Sequence, residues 1–404
     1  MSKMLQTMDN YDFKGKVTLV RIDVNVPVST NGKIREHPRF ESHAETIKEL
    51  IKKKAKIVLI SHQGRPGAKD FIDLKQHARL LSKYVGKKIV FVPDIRGEKA
   101  IKAIKGLRQG DVIMLDNIRK DPYEMLEKSP EEHAKSPLIQ TLAYYGNLFV
   151  LDAFSVSHRS HATVVGFYHI LPCIAGRAME KAVTYLDEIK KHAVPPNIFV
   201  LGGGKPDDVF ALMEYMMPKG EMDAVLSCGV PGELFLMAQG YELGKKTFKK
   251  HEEGGWMQYL ERAEKLYGRF GDKIRTPVDL AISVRGRRKE ISLTELPTNY
   301  MIMDIGTRTY KRYAKEINNA GTVVVKGPAG IYENKGFEVG TRELLKAAAN
   351  TAGHSFIGGG NTIEALKMLK FNIKQFNYVC MGGGALVHYL SGRELPGLRI
   401  LYAR

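Results

Sequence analysis

The chain has 404 residues, a mass of 45.3 kDa and a formal net charge of +18 at pH 7, with 44% hydrophobic and 26% charged residues. This length exceeds one ordinary core, so we expect two domains of a soluble globular protein. No apolar run approaches the roughly 18 residues that a transmembrane helix needs, and residues 1–16 lack the apolar core of a signal peptide. Three widely spaced cysteines (Cys173, Cys228 and Cys380) cannot all pair, which predicts a reducing, cytoplasmic location.

The positive charge is compatible with nucleic acid, a membrane surface or small polyanionic substrates as partners. The basic residues are spread along the whole chain, and no aromatic residues interleave with them as a stacking platform would require. We therefore predict no specific nucleic-acid partner and no membrane partner. A polyanion-binding protein stays open as an alternative function class.

Strand-like apolar runs alternate with helix-like runs, which predicts α/β architecture with parallel sheets. In the first half the predicted strands cover residues 17–20, 57–60, 88–92, 112–115 and 148–151. Helical periodicity covers residues 44–53 and 71–85.

Polar and basic residues follow several of these strands. They are Arg21, Asp23, Asn25, His62, Arg65, Arg119, His158 and Arg159. Ligands of open α/β sheets bind outside the carboxyl ends of the strands, so these side chains are expected to face one cleft. Guanidinium groups bind carboxylate and phosphate in a bidentate manner, which predicts a site for a small, multiply anionic substrate.

A helix is predicted over residues 175–192, and Pro195-Pro196 ends it. It is either an ordinary connecting helix or an interdomain hinge. We favour the hinge because the helix separates an Arg/His half from a glycine-rich half.

Three apolar runs of the second half, residues 198–201, 355–357 and 378–381, each lead into a Gly-Gly-Gly triplet. Glycines allow a close approach of the backbone to a ligand, and helix N-termini at such an edge favour anions. Three copies therefore predict a polyphosphate site. The first triplet is not a Walker A loop, because Lys205 precedes Pro206, and none of the triplets reads G-x-G-x-x-G.

Two other parts of the second half are less regular. A strand over residues 322–325 leads into a glycine-containing loop, in which Glu333 is placed to accept hydrogen bonds from a ribose. Residues 245–273 are predicted to be charged and irregular.

Five motifs resemble the signatures of the phosphoglycerate kinase family, in the family's order along nearly the whole chain. They are residues 21–27, 61–66, 152–161, 326–330 and 395–397. The resemblance implies an α/β fold of two doubly wound parallel-sheet domains joined by a hinge helix. The implied bounds are 1–173 for a phosphoglycerate-binding domain, 174–194 for the hinge helix, 195–385 for a nucleotide-binding domain and 386–404 for a segment that packs back on the first domain.

The resemblance also implies the activity, which is reversible phosphoryl transfer between 1,3-bisphosphoglycerate and Mg-ADP to give 3-phosphoglycerate and ATP. The implied phosphoglycerate ligands are Asp23, Asn25, Arg39, His62, Arg65, Arg119 and Arg159. The implied nucleotide ligands are Gly203, Gly204, Lys205, Gly330, Glu333, Gly358, Gly359, Gly360, Asn361 and Thr362. Asn361 stands where the family has a metal-binding Asp, so it is the expected Mg²⁺ ligand, and the enzyme is expected to be a monomer.

The attacking phosphate or carboxylate oxygen is already ionised near neutral pH, so no general base is needed. Positioned cations and backbone N–H donors should stabilise the charge that spreads over the transferring phosphoryl group. Arg39, Lys205 and the N–H groups of Gly359 and Gly360 are expected to do this after the two halves close.

The sequence departs from the family pattern at four places: Val209 stands where a second Lys is common, Asn361 replaces Asp, Cys380-Met381 replaces Ser-Thr, and Asp116 replaces Glu. A family member that has lost catalysis and serves as an interaction protein is therefore a further alternative. The presence of Arg39 and Lys205 favours an active enzyme. For Asn361, the competing hypothesis is a helix cap.

Overall fold

The computed structural model describes residues 4–402, which divide into two compact units: residues 4–184 with 394–402, and residues 185–393. The outermost parts of the expected first domain and C-terminal segment, residues 1–3 and 403–404, lie outside the described residues. No helix within 4–402 is both long and apolar enough to cross a membrane.

The first unit is built on one sheet of six parallel strands. The strands are β1 (Val17–Arg21), β2 (Lys56–Ile60), β3 (Val90–Val92), β4 (Val112–Leu115), β5 (Leu148–Leu151) and β6 (Cys173–Ala175). They lie in the order β3-β4-β2-β1-β5-β6. Strand β2 therefore pairs with one side of β1, and β5 pairs with the other side. The strand order reverses between β1 and β5, which makes this position a topological switch point.

Helices connect these strands, as parallel pairing requires. They are α1 (Pro38–Lys52), α2 (Lys75–Val85), α3 (Glu98–Lys105), α4 (Pro130–Ala134), α5 (Pro137–Tyr145) and α6 (Ala162–Val165), and α7 (Arg177–Lys191) runs across the boundary between the units. The predicted start of the second helix at residue 71 is wrong. The backbone before α2 bonds instead to the loop after β4, where Asn117 donates to Ile72 O at 2.9 Å and Leu74 N donates to Asp116 Oδ1 at 3.4 Å.

The second unit contains a second parallel sheet of six strands. They are β7 (Asn197–Leu201), β8 (Ala224–Ser227), β9 (Ile274–Arg275), β13 (Thr322–Lys326), β14 (His354–Gly358) and β15 (Tyr378–Cys380). Their order, β15-β14-β13-β7-β8-β9, places the switch point between β7 and β13. The prediction of two doubly wound parallel sheets is confirmed.

A small antiparallel sheet in this unit was not predicted. It is formed by β10 (Asp279–Val284), β11 (Arg287–Ser292) and β12 (Ile302–Ile305), and it covers a separate apolar cluster that includes Leu236 and Leu243. β11 has the sequence RRKEIS and buries only Ile291, so it carries almost no apolar signal.

The helices of the second unit are α8 (Pro206–Met216), α9 (Gly229–Ala238), α10 (Lys245–Glu253), α11 (Leu260–Phe270), α12 (Thr307–Asn318), α13 (Val339–Asn350), α14 (Gly360–Met368) and α15 (Gly383–Leu390). The prediction of an irregular segment over 245–273 is therefore wrong. Helix α10 buries only Thr247 and His251, and α11 only Ala263 and Leu266, so neither has a strong apolar stripe.

The chain end returns to the first unit through α16 (Pro396–Arg399). Gly397 N donates to Ser157 O at 2.9 Å, and Gln6 N donates to Leu401 O at 2.8 Å. The division falls at residue 394 rather than at the expected 386, because α15 packs on α8 and the Tyr389 hydroxyl donates to Asp187, both within the second unit.

Candidate functional site

A buried arginine forms the base of the candidate site in the first unit. Arg21 is the last residue of β1 and is 1% exposed. Its Nε donates to Thr163 Oγ1 at 3.0 Å, and its Nη2 lies 3.6 Å from Glu124 Oε1. Thr163 N in turn donates to Glu124 Oε2 at 2.9 Å, so the guanidinium is held in one orientation.

Two histidines beside Arg21 are neutral at pH 7. The Nδ1 of His62, which follows β2, lies 3.1 Å from Arg21 Nη2, and because arginine only donates, Nδ1 must accept. Burial and then the charges of Arg21 and Arg119 hold the pKa of His62 well below its usual 6.5. The same causes lower the pKa of His161 to about 3. The Nε2–H of His62 is therefore left as a donor.

Arg119 lies on the short 3-10 turn Ile118–Lys120 after β4, and its Nη1 donates to Gly64 O. Burial and then the charges of Arg21, Arg65 and Arg159 lower the pKa of Arg119 to about 10. The negative charge of Glu124 opposes this lowering of the Arg119 pKa. A bound anion would relieve the remaining repulsion.

Arg39 is held by Asp23. It is the second residue of α1, and its Nη1 forms an ion pair with Asp23 Oδ2, which also accepts from the Ser155 hydroxyl. Asn25 N donates to Asp23 Oδ1 at 3.0 Å, and Gly64 N donates to Asn25 Oδ1 at 3.0 Å. Asp23 and Asn25 thus tie together the loops after β1 and β2.

Arg65 is exposed and Arg159 is partly exposed. Arg159 lies 3.9 Å from Glu127 with 42% of its side chain exposed. Both are close enough to Arg119 to lower its pKa. We define the basic cluster as the seven side chains that these interactions bring together: Arg21, Arg39, His62, Arg65, Arg119, Arg159 and His161.

Sequence reasoning missed three residues that hold this cluster, namely Glu124, Thr163 and Ser155. Glu124 is fully buried although it lies in the polar segment between β4 and α4. No local pattern marks such a residue, since its partners are distant in the sequence.

The second candidate site lies at the carboxyl ends of four neighbouring strands, β7, β13, β14 and β15. We define the glycine edge as the turns that follow them, residues 202–204, 327–330, 358–360 and 382–384. These turns pack backbone against backbone. Gly203 N donates to Pro328 O at 2.8 Å, and a Cβ on Gly383 would lie 2.6 Å from Gly359 Cα.

Two helices begin at the glycine edge. Gly359 is the N-cap of α14 with φ at 99°, a conformation that favours glycine, and Gly382 is the N-cap of α15. The first N–H groups of each helix have no intrahelical acceptor and suit an anion. The cap hypothesis for Asn361 is wrong, because the cap is Gly359 and no side chain bonds it.

The predicted nucleotide ligands differ in their surroundings. Lys205, Glu333, Gly204, Gly360 and Asn361 are exposed, whereas Thr362 is buried and accepts from Gly327 N at 2.8 Å. Gly330 has a packing reason to be glycine, since a Cβ there would lie 2.3 Å from Met303 O. Asp207 is paired with Arg262 at 2.7 Å, and Asp208 Oδ2 lies 3.6 Å from Lys326 Nζ.

No group of three or more His, Cys, Asp or Glu side chains that could hold a metal ion occurs among residues 4–402. Mg²⁺ is usually held in proteins by one or two carboxylates together with substrate phosphates and water.

The chain is similar over almost its whole length to known proteins of one family. The sequence model of the phosphoglycerate kinase family matches residues 8–393. Phosphoglycerate kinase 2 of Methanosarcina acetivorans is 41% identical over 403 residues, which cover 100% of this chain and 96% of that protein. The phosphoglycerate kinase of Saccharolobus solfataricus is 40% identical over 398 residues, with coverage of 98% and 97%.

Solved structures give the same result. The crystal structure of phosphoglycerate kinase from Pyrococcus horikoshii OT3 has a TM-score of 0.94 and 35% identity, with 98% of each chain covered. The structure of phosphoglycerate kinase from Coxiella burnetii has a TM-score of 0.79 and 29% identity, with coverage of 98% and 99%. The chain belongs to the phosphoglycerate kinase family.

Proposed function

We propose that this chain binds 3-phosphoglycerate at the basic cluster and the nucleotide at the glycine edge. The reaction is that of its family, reversible phosphoryl transfer between 1,3-bisphosphoglycerate and ADP to give 3-phosphoglycerate and ATP, in glycolysis and gluconeogenesis. The observation that carries the placement of the acid is the gathering of five guanidinium groups in the basic cluster. Burial, and then repulsion from these arginines, lowers the pKa values of His62, His161 and Arg119.

In this proposal the acid is held by Arg39, Arg65, Arg119 and Arg159, with His62 Nε2–H as a neutral donor. Four guanidinium groups match a substrate that carries both a phosphate and a carboxylate. Asp23 and Asn25 act on the acid only through other residues. They accept from Arg39 and from Gly64 N, so they orient the groups that bind the anion.

On the nucleotide side, Lys205 and the N–H groups of Gly359 and Gly360 would receive the transferring phosphate. Gly203 and Gly204 let the backbone approach closely, and Glu333 is exposed and available to the ribose hydroxyls. Thr362 and Gly330 act through the backbone they hold in place. Gly358 has its own packing constraint, since a Cβ there would lie 2.1 Å from Leu386 Cδ2.

No base is needed, because the attacking oxygen is already ionised. We assign one cation of the transition state to Arg39 and one to Lys205, as the family resemblance implies. Fixed cations and N–H donors stabilise the charge of the transferring phosphoryl without reorganisation during the reaction.

Mg²⁺ fits the glycine edge as an ion carried by the nucleotide. The Asn361 side chain is exposed in the first turn of α14 and offers a neutral oxygen. When bound, the ion neutralises phosphate charge. We further propose that the enzyme is a cytoplasmic monomer, in line with the burial of its three cysteines.

A coupled assay of ATP-dependent 1,3-bisphosphoglycerate formation tests the placement of the two substrates. We expect Arg65→Ala to raise the KM for 3-phosphoglycerate while leaving the KM for ATP unchanged, and Glu333→Ala to do the reverse. Each variant is the control for the other. If both variants change the same KM, or if the two effects are exchanged, the placement is wrong. Absence of turnover in the unaltered enzyme would favour an interaction protein that has lost catalysis.

A further inference from the structure

Lys326 is a buried lysine at the centre of the glycine edge. It is the last residue of β13, on one side of the β7/β13 switch point, and it is 5% exposed. A buried ammonium is costly unless it is paired. The Lys326 ammonium lies 3.6 Å from Asp208 Oδ2 of α8, beyond ordinary hydrogen-bond distance, and the Asp208 side chain is 29% exposed.

The side chain of Lys326 runs between the turns to which we assign the phosphates. Its Cγ lies 3.9 Å from the position of a Cβ on Gly359, the residue that caps α14. At its other end the ammonium reaches the first turn of α8, directly after Lys205. Burial lowers the pKa of Lys326, Asp208 opposes this, and the nearby charge of Lys205 lowers the pKa further.

We propose that Lys326 is a second phosphate-binding lysine of the nucleotide site, and that Asp208 is its partner only while the site is empty. The proposal rests on the proposed placement of the nucleotide at the glycine edge. A nucleotide phosphate that bridges Lys205 and the α14 N-terminus would lie beside the Lys326 ammonium. It would replace the 3.6 Å ion pair with a closer charge-assisted hydrogen bond.

This role also explains why a charged residue, Lys326, is buried at the centre of the glycine edge. A purely structural lysine could be replaced by an apolar residue without harm to the fold, since a buried ion pair is often no more stable than an apolar substitute. A phosphate-binding lysine could not be replaced without loss of affinity.

Binding of ADP and of adenosine, measured by calorimetry without Mg²⁺ and with a chelator, tests the proposal. Lys326→Met should weaken ADP binding at least about tenfold, the effect of losing a hydrogen bond to a charged group. It should leave adenosine binding unchanged, because adenosine has no phosphate. The matched control is Lys265→Met, which removes an exposed lysine that pairs with Glu261 in α11 of the same unit. It should change neither affinity.

Asp208→Asn separates the phosphate role from a structural ion pair. If the carboxylate competes with phosphate for Lys326, the variant should bind ADP as tightly as the unaltered enzyme or more tightly. If Asp208→Asn weakens ADP binding by the same factor as Lys326→Met, the pair is structural and the proposal fails. Equal loss of ADP and adenosine affinity in Lys326→Met would overturn it as well.

Lys205→Ala distinguishes this inference from the proposed function. If the unaltered enzyme binds ADP and Lys205→Ala weakens that binding while Lys326→Met does not, only the role of Lys326 is wrong. If the unaltered enzyme does not bind ADP, the placement of the nucleotide itself is wrong.

Discussion

At the scale of single residues, the basic cluster attracts anions through arginine rather than through protonated histidine. The imidazoles of His62 and His161 lie among guanidinium groups, and burial together with like charge keeps them neutral. The positive charge of the basic cluster therefore does not change near neutral pH. This arrangement suits a substrate that is fully ionised there.

Alanine at Arg39 or at Lys205 should lower kcat about 10²-fold or more, the scale of losing one preorganised donor. Each cation is expected to contact the phosphoryl group in the transition state rather than in the ground state. Steady-state kinetics with 3-phosphoglycerate and ATP varied in turn measures this. An effect confined to KM would indicate uniform binding and would contradict the assignment.

The pKa of about 3 for His161 predicts a loss of stability in acid. An unfolded histidine titrates near 6.5, so between pH 6.5 and 3 the unfolded chain binds the proton and the folded chain does not. The stabilisation is complete above pH 6.5 and is lost as the pH falls. Between pH 7.5 and 5.5, the unaltered enzyme should lose about 1.4 kcal/mol of its free energy of unfolding through this histidine. His161→Gln should remove this part of the loss.

Urea unfolding at the two pH values measures the effect of His161→Gln, with the transition of the first unit followed separately. An unchanged pH dependence in the variant would show that His161 is not the group responsible.

Asn361→Asp should lower the Mg²⁺ concentration needed for half-maximal rate, because a carboxylate binds Mg²⁺ more strongly than a neutral amide oxygen does. The KM for 3-phosphoglycerate should not change, since Asn361 lies in the second unit. A titration of the rate with Mg²⁺ at saturating concentrations of both substrates measures this. If the Mg²⁺ dependence does not move, the ion is held by other ligands.

At the scale of elements, each doubly wound sheet presents its candidate site at a switch point. Arg21 ends β1 beside β5, and Lys326 ends β13 beside β7. Side chains at the ends of central strands are buried by their neighbours and are therefore held rigidly. In the glycine edge the backbone itself is held in this way, because its turns pack too closely at Gly202, Gly330 and Gly383 to accept a side chain there.

Two glycines of this edge should respond differently to alanine. A Cβ on Gly383 would lie 2.6 Å from Gly359 Cα, so Gly383→Ala should destabilise the protein by about 1–3 kcal/mol, as overpacking does. A Cβ on Gly360 meets nothing within 4 Å, so Gly360→Ala should keep its stability but bind ADP more weakly. Thermal unfolding and calorimetry test the pair. Unchanged ADP binding in Gly360→Ala would mean that no phosphate approaches that turn.

At the scale of the whole molecule, the net charge of +18 is best explained by small anionic substrates. The two candidate sites, which we propose bind phosphate and carboxylate groups, would need positive potential, and steering raises the rate at which such substrates are captured. The charge is spread over both units rather than gathered into one basic stretch of sequence.

Duplex DNA should therefore bind only weakly and without sequence preference, with an affinity that falls steeply between 50 and about 200 mM salt. Electrophoretic mobility shift with two unrelated duplexes checks this, and 3-phosphoglycerate is the competitor. Tight, sequence-selective binding at physiological salt would contradict the assignment of the charge to small anions.

The sequence by itself determined nine of the twelve strands of the parallel sheets and placed their carboxyl ends to within one residue, because apolar runs and glycine triplets are local signals. The short strands β6, β8 and β9 were not predicted. The residues after the strands also predicted one site for a small anionic substrate and one for a polyphosphate. The identity of the two substrates and the role of Arg39 came from the family resemblance, since polar residues hide the start of α1. The tertiary structure alone decided the Arg21–Glu124 pair, the Lys326–Asp208 pair and the neutral state of His62. Those features depend on which strands become neighbours and on how deeply each charge is buried. Both are set by contacts between residues far apart in the chain.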